Sequence, residues 1–371
     1  MSPFAINLEK TRTDASIVSL EPALNAFGSM VLISKAQGDP GIHEWVAKTR
    51  TQMSADELFR HKLVTIGFHY SIIPRNTAVT FERYLETLEA TPPSQLRERL
   101  LGAYSEICIT SESQEDKGKP VNWDDVLSSA DNYVNFLKRR FGEELTDEPM
   151  EARAYQYVLD PAALKQLVVD HVRWFWKNHL EAEWKRVRPM LEESANAFNQ
   201  LNLADMTRVE LIRFITGKEV DEAKWAGEHE KARELVFIPN AHIGPYIQVS
   251  KIQDDFFIYF GAHLPEGSEL KIPELDRTEI VSKLSALADE TRMQILQLIS
   301  ENGEMRVNEI MESVKLSQPS VSRYLGQLTA SGFLQERRVN TAKVYTLNRD
   351  RIEKTLKATS AFLLDRARQE A

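Results

Sequence analysis

The segment LSQPSVSRYLGQLTASGFL, Leu316–Leu334, carries the clearest structural signals in this chain of 371 residues. Ser317 is a residue type that commonly caps a helix, and Pro319 falls in the first turn, where its missing N–H costs nothing. Three apolar residues recur at helical spacing and predict one buried face: Val321, Leu325 and Leu328. Gly332 is a typical stop signal, so the segment predicts one short helix.

The other face of this predicted helix is polar. Ser320, Arg323 and Gln327 point away from the apolar stripe. Small hydroxyls, an amide and an arginine near the start of a helix are suited to the DNA major groove, where such side chains reach the edges of bases. The neighbouring elements decide whether this interpretation holds.

The flanking sequence predicts a helix-turn-helix followed by a two-stranded wing. Val307–Val314 has the pattern of the preceding helix, and Asp289 is a suitable cap for an earlier one. Leu334–Val339 and Lys343–Leu347 have the pattern of two strands, and Asp350 begins a last helix.

Charge separates this C-terminal module from the rest of the chain. The whole chain carries −9, but Thr278 to the C-terminus has 14 Lys and Arg against 12 Asp and Glu, or +2. The remaining residues have 32 against 43, or −11, and Ser313–Lys357 has 9 against 3, or +6. A basic patch on an acidic body favours a local interaction with phosphates.

Composition sets broad limits on the rest of the chain. The single cysteine, Cys108, excludes a disulfide framework and fits a reducing compartment. No apolar run approaches the roughly 20 residues of a membrane helix, and MSPFAINLEK lacks the apolar core of a signal peptide. We therefore expect a cytoplasmic protein with no membrane partner.

The first 264 residues are predicted to be rich in helix. Segments with a helical pattern are Glu21–Lys35, Ser54–Leu63, Thr80–Leu88, Ser94–Ile107, Asp124–Phe141, a long run from Asp160 that Pro189 ends or kinks, and Asp205–Thr216. Strands are predicted at Leu235–Ile238, Tyr246–Lys251 and Asp255–Phe260, with Ile17–Leu20 as a possible edge strand.

These patterns predict a mainly α protein with small antiparallel sheets, an α+β class in two domains. Residues 1–264 are predicted to form an α-rich sensor or dimerisation domain, and residues 278–371 the winged helix-turn-helix. The linker between them, 265–277, contains two prolines and a glycine.

The segment from Leu284 to Leu347 resembles the winged helix of the ArsR/SmtB family of bacterial repressors. The matching pieces are LADETRMQIL, SQPSVSRYL, LTASGFL and ERRVNTAKVYTL, in that order. The resemblance implies that Ser317, Gln318, Ser320 and Arg323 face bases and phosphates, while Arg337, Arg338 and Lys343 reach the DNA backbone. It also implies a homodimer formed by the first and last helices of the module. The mostly apolar stripes of these two helices consist of Ile280, Leu284, Leu287, Ile352, Leu356, Thr359 and Leu363. Packing of these stripes within one chain is the alternative.

One departure from the family concerns metal sensing. The best-known metal sensors carry two cysteines in the third helix, and the aligned positions here hold Arg306 and Asn308. Arginine has no lone pair to give at neutral pH, and from Thr278 onward the chain has neither histidine nor cysteine. No metal site and no cofactor are therefore predicted in the winged helix, while a site assembled by folding of the larger domain stays open.

The larger domain resembles, more diffusely, a domain of unknown function that is found fused to such winged helices in Gram-positive and related bacteria. The matching phrases are EPALNAFGSM, TFERYLETLEATPPSQLRERL, EAEWKRVRPMLEE and VFIPNAHIGPYIQV. Within it, His171, Trp174, Phe175 and His179 crowd one helix. They form either a pocket for a small apolar effector or, as aromatic stripes usually do, part of the core.

Taken together, the sequence predicts a DNA-binding transcriptional regulator, a repressor of an inverted-repeat operator, which responds through its N-terminal domain. No catalytic residues are predicted, because nucleophile-elbow, phosphate-loop and dinucleotide motifs are absent from the sequence. The alternatives are an enzyme or a protein-interaction adaptor that uses its winged helix for autoregulation.

Overall fold

The computed structural model describes residues 16–35, 43–75, 79–218, 220, 225, 227–244, 246–252, 254–265, 277–339 and 342–364. The chain forms two compact units: Glu21–Ala36 with Lys48–Arg186, and Met1–Leu20 with Gln37–Ala47 and Val187–Ala371. The predicted linker at 265–277 lies mostly outside the described residues, so the boundaries 1–264 and 278–371 stay a prediction.

The helices are α1 (Pro22–Lys35), α2 (Glu44–Gln52), α3 (Ala55–Lys62), α4 (His69–Ile72), α5 (Phe81–Ala90), α6 (Pro93–Glu106), α7 (Ser111–Gln114), α8 (Trp123–Val126), α9 (Ala130–Phe141), α10 (Glu148–Leu159), α11 (Pro161–Phe175), α12 (Glu181–Asn199), α13 (Arg208–Thr216), α14 (Glu228–Lys231), α15 (Arg277–Leu287), α16 (Glu290–Asn302), α17 (Val307–Val314), α18 (Gln318–Ala330) and α19 (Arg349–Leu364). The strands are β1 (Ser16–Val18), β2 (Leu235–Asn240), β3 (Gln248–Ile252), β4 (Asp255–Gly261), β5 (Met305–Arg306), β6 (Leu334–Val339) and β7 (Ala342–Leu347). Wider π-helical turns follow α3 at Leu63–Gly67 and join α11 to α12 at Trp176–Leu180.

The unit of Glu21–Ala36 and Lys48–Arg186 contains helices and no strand among its described residues. Side-chain caps explain several helix starts. Ser54 and Glu57 form a capping box at α3, with each side chain accepting from the other's backbone N–H at 3.2 and 2.8 Å. The carboxylate of Asp160 accepts from two backbone N–H groups at the start of α11. Aromatic residues fill much of the core: Phe68, Phe81, Tyr133 and Phe175.

Two predicted helices differ from the structure. The segment predicted as one helix at Asp124–Phe141 is two, because the Ser129 hydroxyl accepts from Asn132 N and starts α9 there. Pro189 does not end its helix, and α12 continues to Asn199. Proline removes a single hydrogen bond, and the burial of Val187 and Leu191 around it favours the helical path.

The four-stranded sheet in the second unit has the order β1-β2-β4-β3. The predicted hairpin of β3 and β4 is present and antiparallel, but β1, β2 and β4 run parallel, so the sheet is mixed rather than purely antiparallel. Nearly all residues of β2 and β4 are buried, which is typical of strands in the centre of a parallel sheet. At the end of β4, Gly261 lies so close to the Gly244 carbonyl that a Cβ would stand 2.3 Å from its oxygen.

The winged helix closely follows the predicted elements. Helices α15 to α19 surround a three-stranded sheet of order β5-β7-β6, and α17 has the predicted bounds. The Asp289 carboxylate caps α16 by accepting from Arg292 N at 2.9 Å. The mainly α, α+β class is therefore confirmed. Within the part of the chain that the structure describes, no helix has both the length and the apolar character needed to cross a membrane.

Candidate nucleic-acid interface

Helix α18 presents one buried face and one open face. Val321, Leu325 and Leu328 are completely buried in the winged-helix core, as their spacing predicts. Gln318 and Arg323 are exposed on the other side, and Ser320 is half-buried. Gln318 and Arg323 are thus accessible to a large partner, whereas Gln327, which was also predicted on the polar face, is half-buried and accepts a hydrogen bond from Arg292.

The first turn of α18 is arranged differently from a standard cap. Ser317 occupies the N-cap position, but its hydroxyl makes no capping bond. It lies 3.0 Å from the Ser320 hydroxyl instead, where either oxygen is able to donate. Both hydroxyls retain acceptor capacity, and the N-terminal end of a helix favours a negative charge. This turn is suited to a phosphate or a base edge.

Arg323 is the exposed cation of the open face. Its guanidinium carbon lies 5.1 Å from the centroid of the neighbouring Tyr324 ring. No carboxylate in the described ranges forms an ion pair with it. A guanidinium that is held only by a ring is available for a bidentate contact with guanine.

Two basic residues of the wing, in contrast, already have acidic partners. Arg337 Nε donates to Glu304 Oε2 at 2.7 Å, and Lys343 Nζ lies 2.8 Å from Glu336 Oε1. The Tyr345 hydroxyl donates to Glu336 Oε2 at 3.0 Å. Burial and the Glu336 charge raise the pKa of Tyr345. Each of these pairs would have to open before Arg337 or Lys343 could contact a phosphate. The side chain of Arg338 lies outside the described residues.

Two features that the sequence analysis missed hold the helix-turn-helix in shape. Lys315 adopts a left-handed conformation at the turn, with φ of 54°. Arg292 joins three elements, because its guanidinium donates to Gln327 Oε1 at 2.6 Å and to the Ser285 carbonyl at 2.7 Å. The arginine of LADETRMQIL is thus a positioning residue for α18, and only the fold reveals its partners.

The predicted dimer residues divide into two groups. Ile280 is buried within the chain, and Leu287 and Ile352 pack against the winged-helix core, so these three offer little surface to a second copy. Leu284 is half-buried. Leu356 is 51% exposed and Leu363 65% exposed on α19. The apolar surface that remains available lies on the last helix.

The predicted effector residues in the helical unit come together as a ring cluster. His171 and Phe175 are buried, while Trp174 and His179 are half-buried. Ring centroids are 5.4 Å apart for His171 and Trp174, and 5.2 Å apart for Phe175 and His179. His61, which the sequence analysis did not include, lies 4.5 Å from Phe175 between ring centroids.

His61 and His171 form a neutral hydrogen-bonded pair. His61 Nε2 lies 2.8 Å from the Met30 carbonyl, which only accepts, so this nitrogen carries the proton. His61 Nδ1 therefore accepts from His171 Nε2 at 2.9 Å. Burial lowers the pKa of His61 to about 4 and that of His171 to about 2. The pair holds α3 against α11 without charge at neutral pH.

Comparisons with known proteins relate this chain to bacterial regulators. Residues 289–336 match the family model "Bacterial regulatory protein, arsR family". The chain is 38% identical over 89 residues to the arsenic resistance transcriptional regulator ArsR2 of Pseudomonas putida, covering 22% of this chain and 77% of that protein. It is 36% identical over 72 residues to an uncharacterised helix-turn-helix regulator of Methanocaldococcus jannaschii, covering 19% and 81%. It is 46% identical over 52 residues to the arsenical resistance operon repressor of Escherichia coli, covering 14% and 44%.

Proposed function

Because this chain belongs to the arsR family of bacterial regulatory proteins, we propose that it is a transcriptional repressor that binds an inverted-repeat operator as a homodimer. The observation that carries the proposal is the open face of α18, where Ser317, Gln318 and Arg323 are exposed above a fully buried apolar stripe. A winged helix that only packed against other parts of the protein would not require an exposed, polar first turn in α18.

The roles that we propose within the interface rest on the family resemblance together with charge and exposure. Arg323 reads a guanine edge, since its guanidinium has no acidic partner among the described residues. Ser317, Gln318 and Ser320 contact phosphates and bases at the start of α18. Arg337, Arg338 and Lys343 bind the phosphate backbone, and the +6 balance of Ser313–Lys357 supplies the long-range attraction.

The proposed homodimer forms through α19. Leu356 and Leu363 on two copies supply an apolar surface that a single chain leaves exposed. A two-fold dimer places its two recognition helices about 34 Å apart, or a multiple of that, which matches one turn of DNA. The two-fold symmetry makes the proposed operator an inverted repeat, and the spacing of the helices sets the distance between its half-sites.

The signal that controls DNA binding is proposed to act through residues 1–264. Two relatives are named for arsenic resistance, and soft ions of that kind prefer thiolates. The winged helix has no cysteine or histidine, so a metal or metalloid signal has no ligand set there. An apolar effector that enters at His171, Trp174, Phe175 and His179 has to part rings that now touch, and tryptophan emission would report its entry.

Two substitutions test the proposed readout. Arg323→Ala should remove about 1–3 kcal/mol of discrimination between the operator and unrelated DNA, because a bidentate contact with guanine is lost. Lys343→Ala should weaken binding to both DNAs equally and reduce the slope of affinity against salt by about one unit. Fluorescence anisotropy titrations at several salt concentrations measure both effects. If Arg323→Ala discriminates as well as the parent chain, the proposed orientation of α18 is wrong.

A further inference from the structure

A small cavity lies in the helical unit between the end of α4 and the helices α5 and α6. Its volume is about 60 Å³. Ile72, Val79 and Leu88 supply apolar walls, while Arg75 and Arg99 also line the space. The cavity is distinct from the cluster around His171, and none of the predicted effector residues lines it.

The two arginines bring uncompensated positive charge to this cavity. Arg75 is exposed and Arg99 is half-buried. Across the residues that the structure describes, neither guanidinium has a hydrogen bond or an ion pair. Burial, together with the charge of Arg75, lowers the pKa of Arg99. An anion between the two groups would relieve their repulsion and supply the missing acceptors.

The hydroxyl groups of the cavity have donor protons that are already used. The Tyr84 hydroxyl donates to the Ile72 carbonyl. Thr87 donates to the Arg83 carbonyl at 2.9 Å, and Thr91 donates to the Thr87 carbonyl at 2.8 Å. Among the described residues that line the cavity, the side-chain donors left for a ligand are therefore the guanidiniums of Arg75 and Arg99. Two cationic donors select a ligand with an anionic acceptor rather than an amine or a neutral polyol.

The size of the cavity limits the rest of the ligand. A cavity of about 150 Å³ accommodates benzene. A space of about 60 Å³ is therefore too small to enclose a ring and suits a short aliphatic chain. Apolar walls at Ile72, Val79 and Leu88 match such a chain.

We propose that this cavity binds a short-chain aliphatic monocarboxylate of about three to five carbons, with its carboxylate on Arg75 and Arg99 and its chain against Ile72 and Leu88.

Isothermal titration calorimetry on the full chain with sodium butyrate, at ionic strength fixed with sodium chloride, tests the site. One butyrate should bind per chain, and butyramide, which has nearly the same shape without the charge, should bind at least about tenfold more weakly. Arg99→Gln and Arg75→Gln should each weaken butyrate binding about tenfold or more. Arg83→Gln is the matched control, because Arg83 is exposed on α5, pairs with Glu86 and does not line the cavity.

Equal binding of butyrate and butyramide, or undetectable butyrate binding, would overturn the site. The comparison of the two ligands uses the unaltered chain, so it stands even where a variant folds poorly. A chain that binds butyrate but no specific DNA contradicts the proposed function while leaving the site intact.

Discussion

Replacing Glu304 by glutamine should strengthen DNA binding. In the structure, Arg337 of the wing is held by Glu304, with 2.7 Å between Nε and Oε2, and its side chain is 60% exposed. To reach a phosphate, Arg337 must give up this pair. An exposed ion pair is worth about 0.2–1 kcal/mol, which corresponds to at most about a fivefold change in affinity. Glu304→Gln removes that cost and one nearby negative charge.

Anisotropy titrations of labelled operator at low and moderate salt measure the gain. The matched control is Glu301→Gln, because Glu301 is exposed in the same module and bonds Gln297 rather than a cation. The expected result is a gain of about two- to fivefold for Glu304→Gln, largest at low salt, and a smaller change for the control. Equal gains in the two variants would mean that overall charge, not release of Arg337, is responsible. A loss of affinity in Glu304→Gln would refute the assignment of Arg337 to the DNA backbone.

Two further predictions concern assembly and pH. The double variant Leu356→Glu and Leu363→Glu should be monomeric in sedimentation experiments and should lose cooperative operator binding. The control Leu145→Glu, at another exposed leucine, should leave the dimer intact. If the double variant is still a dimer, the interface does not lie on α19. Burial raises the pKa of Glu151 from 4.5 to about 8, so only the unfolded chain ionises this residue between those values. The free energy of unfolding should therefore fall by about 5 kcal/mol as the pH rises from 4.5 to 8. Denaturant titrations at several pH values should show a smaller dependence of this free energy on pH in Glu151→Gln.

The winged helix was predictable because its signals are local. Helix caps, apolar stripes and turn residues each act within a few positions of the chain. Examples are the cap Asp289 and the stripe of Val321, Leu325 and Leu328. The predicted bounds of α17 and the strands of the wing therefore agree with the structure to within about one residue. The match with the arsR family model covers the same region, 289–336.

Features that depend on distant partners were not predictable. The parallel pairing of β2 with β4 gives no periodic signal, because both strands are continuously buried. His61 is 110 residues from His171, and nothing in either local pattern indicates their hydrogen bond. The partners of Arg337 and Lys343 likewise appear only when the wing folds beside Glu304 and Glu336. The candidate DNA residues were thus identifiable by type, but their competing ion pairs were not.

The exposed face of α18 is proposed to read a specific DNA sequence, and selection of bound sequences from a random DNA pool tests this proposal. The full chain and Arg323→Ala are each taken through the selection, followed by sequencing of the bound DNA. The parent chain should enrich an inverted repeat whose half-sites are centred about 10 base pairs apart, or a multiple of that, and Arg323→Ala should lose the preference for a guanine in each half-site. If the parent chain enriches no sequence, or if both proteins enrich the same one, α18 does not read DNA in the proposed way.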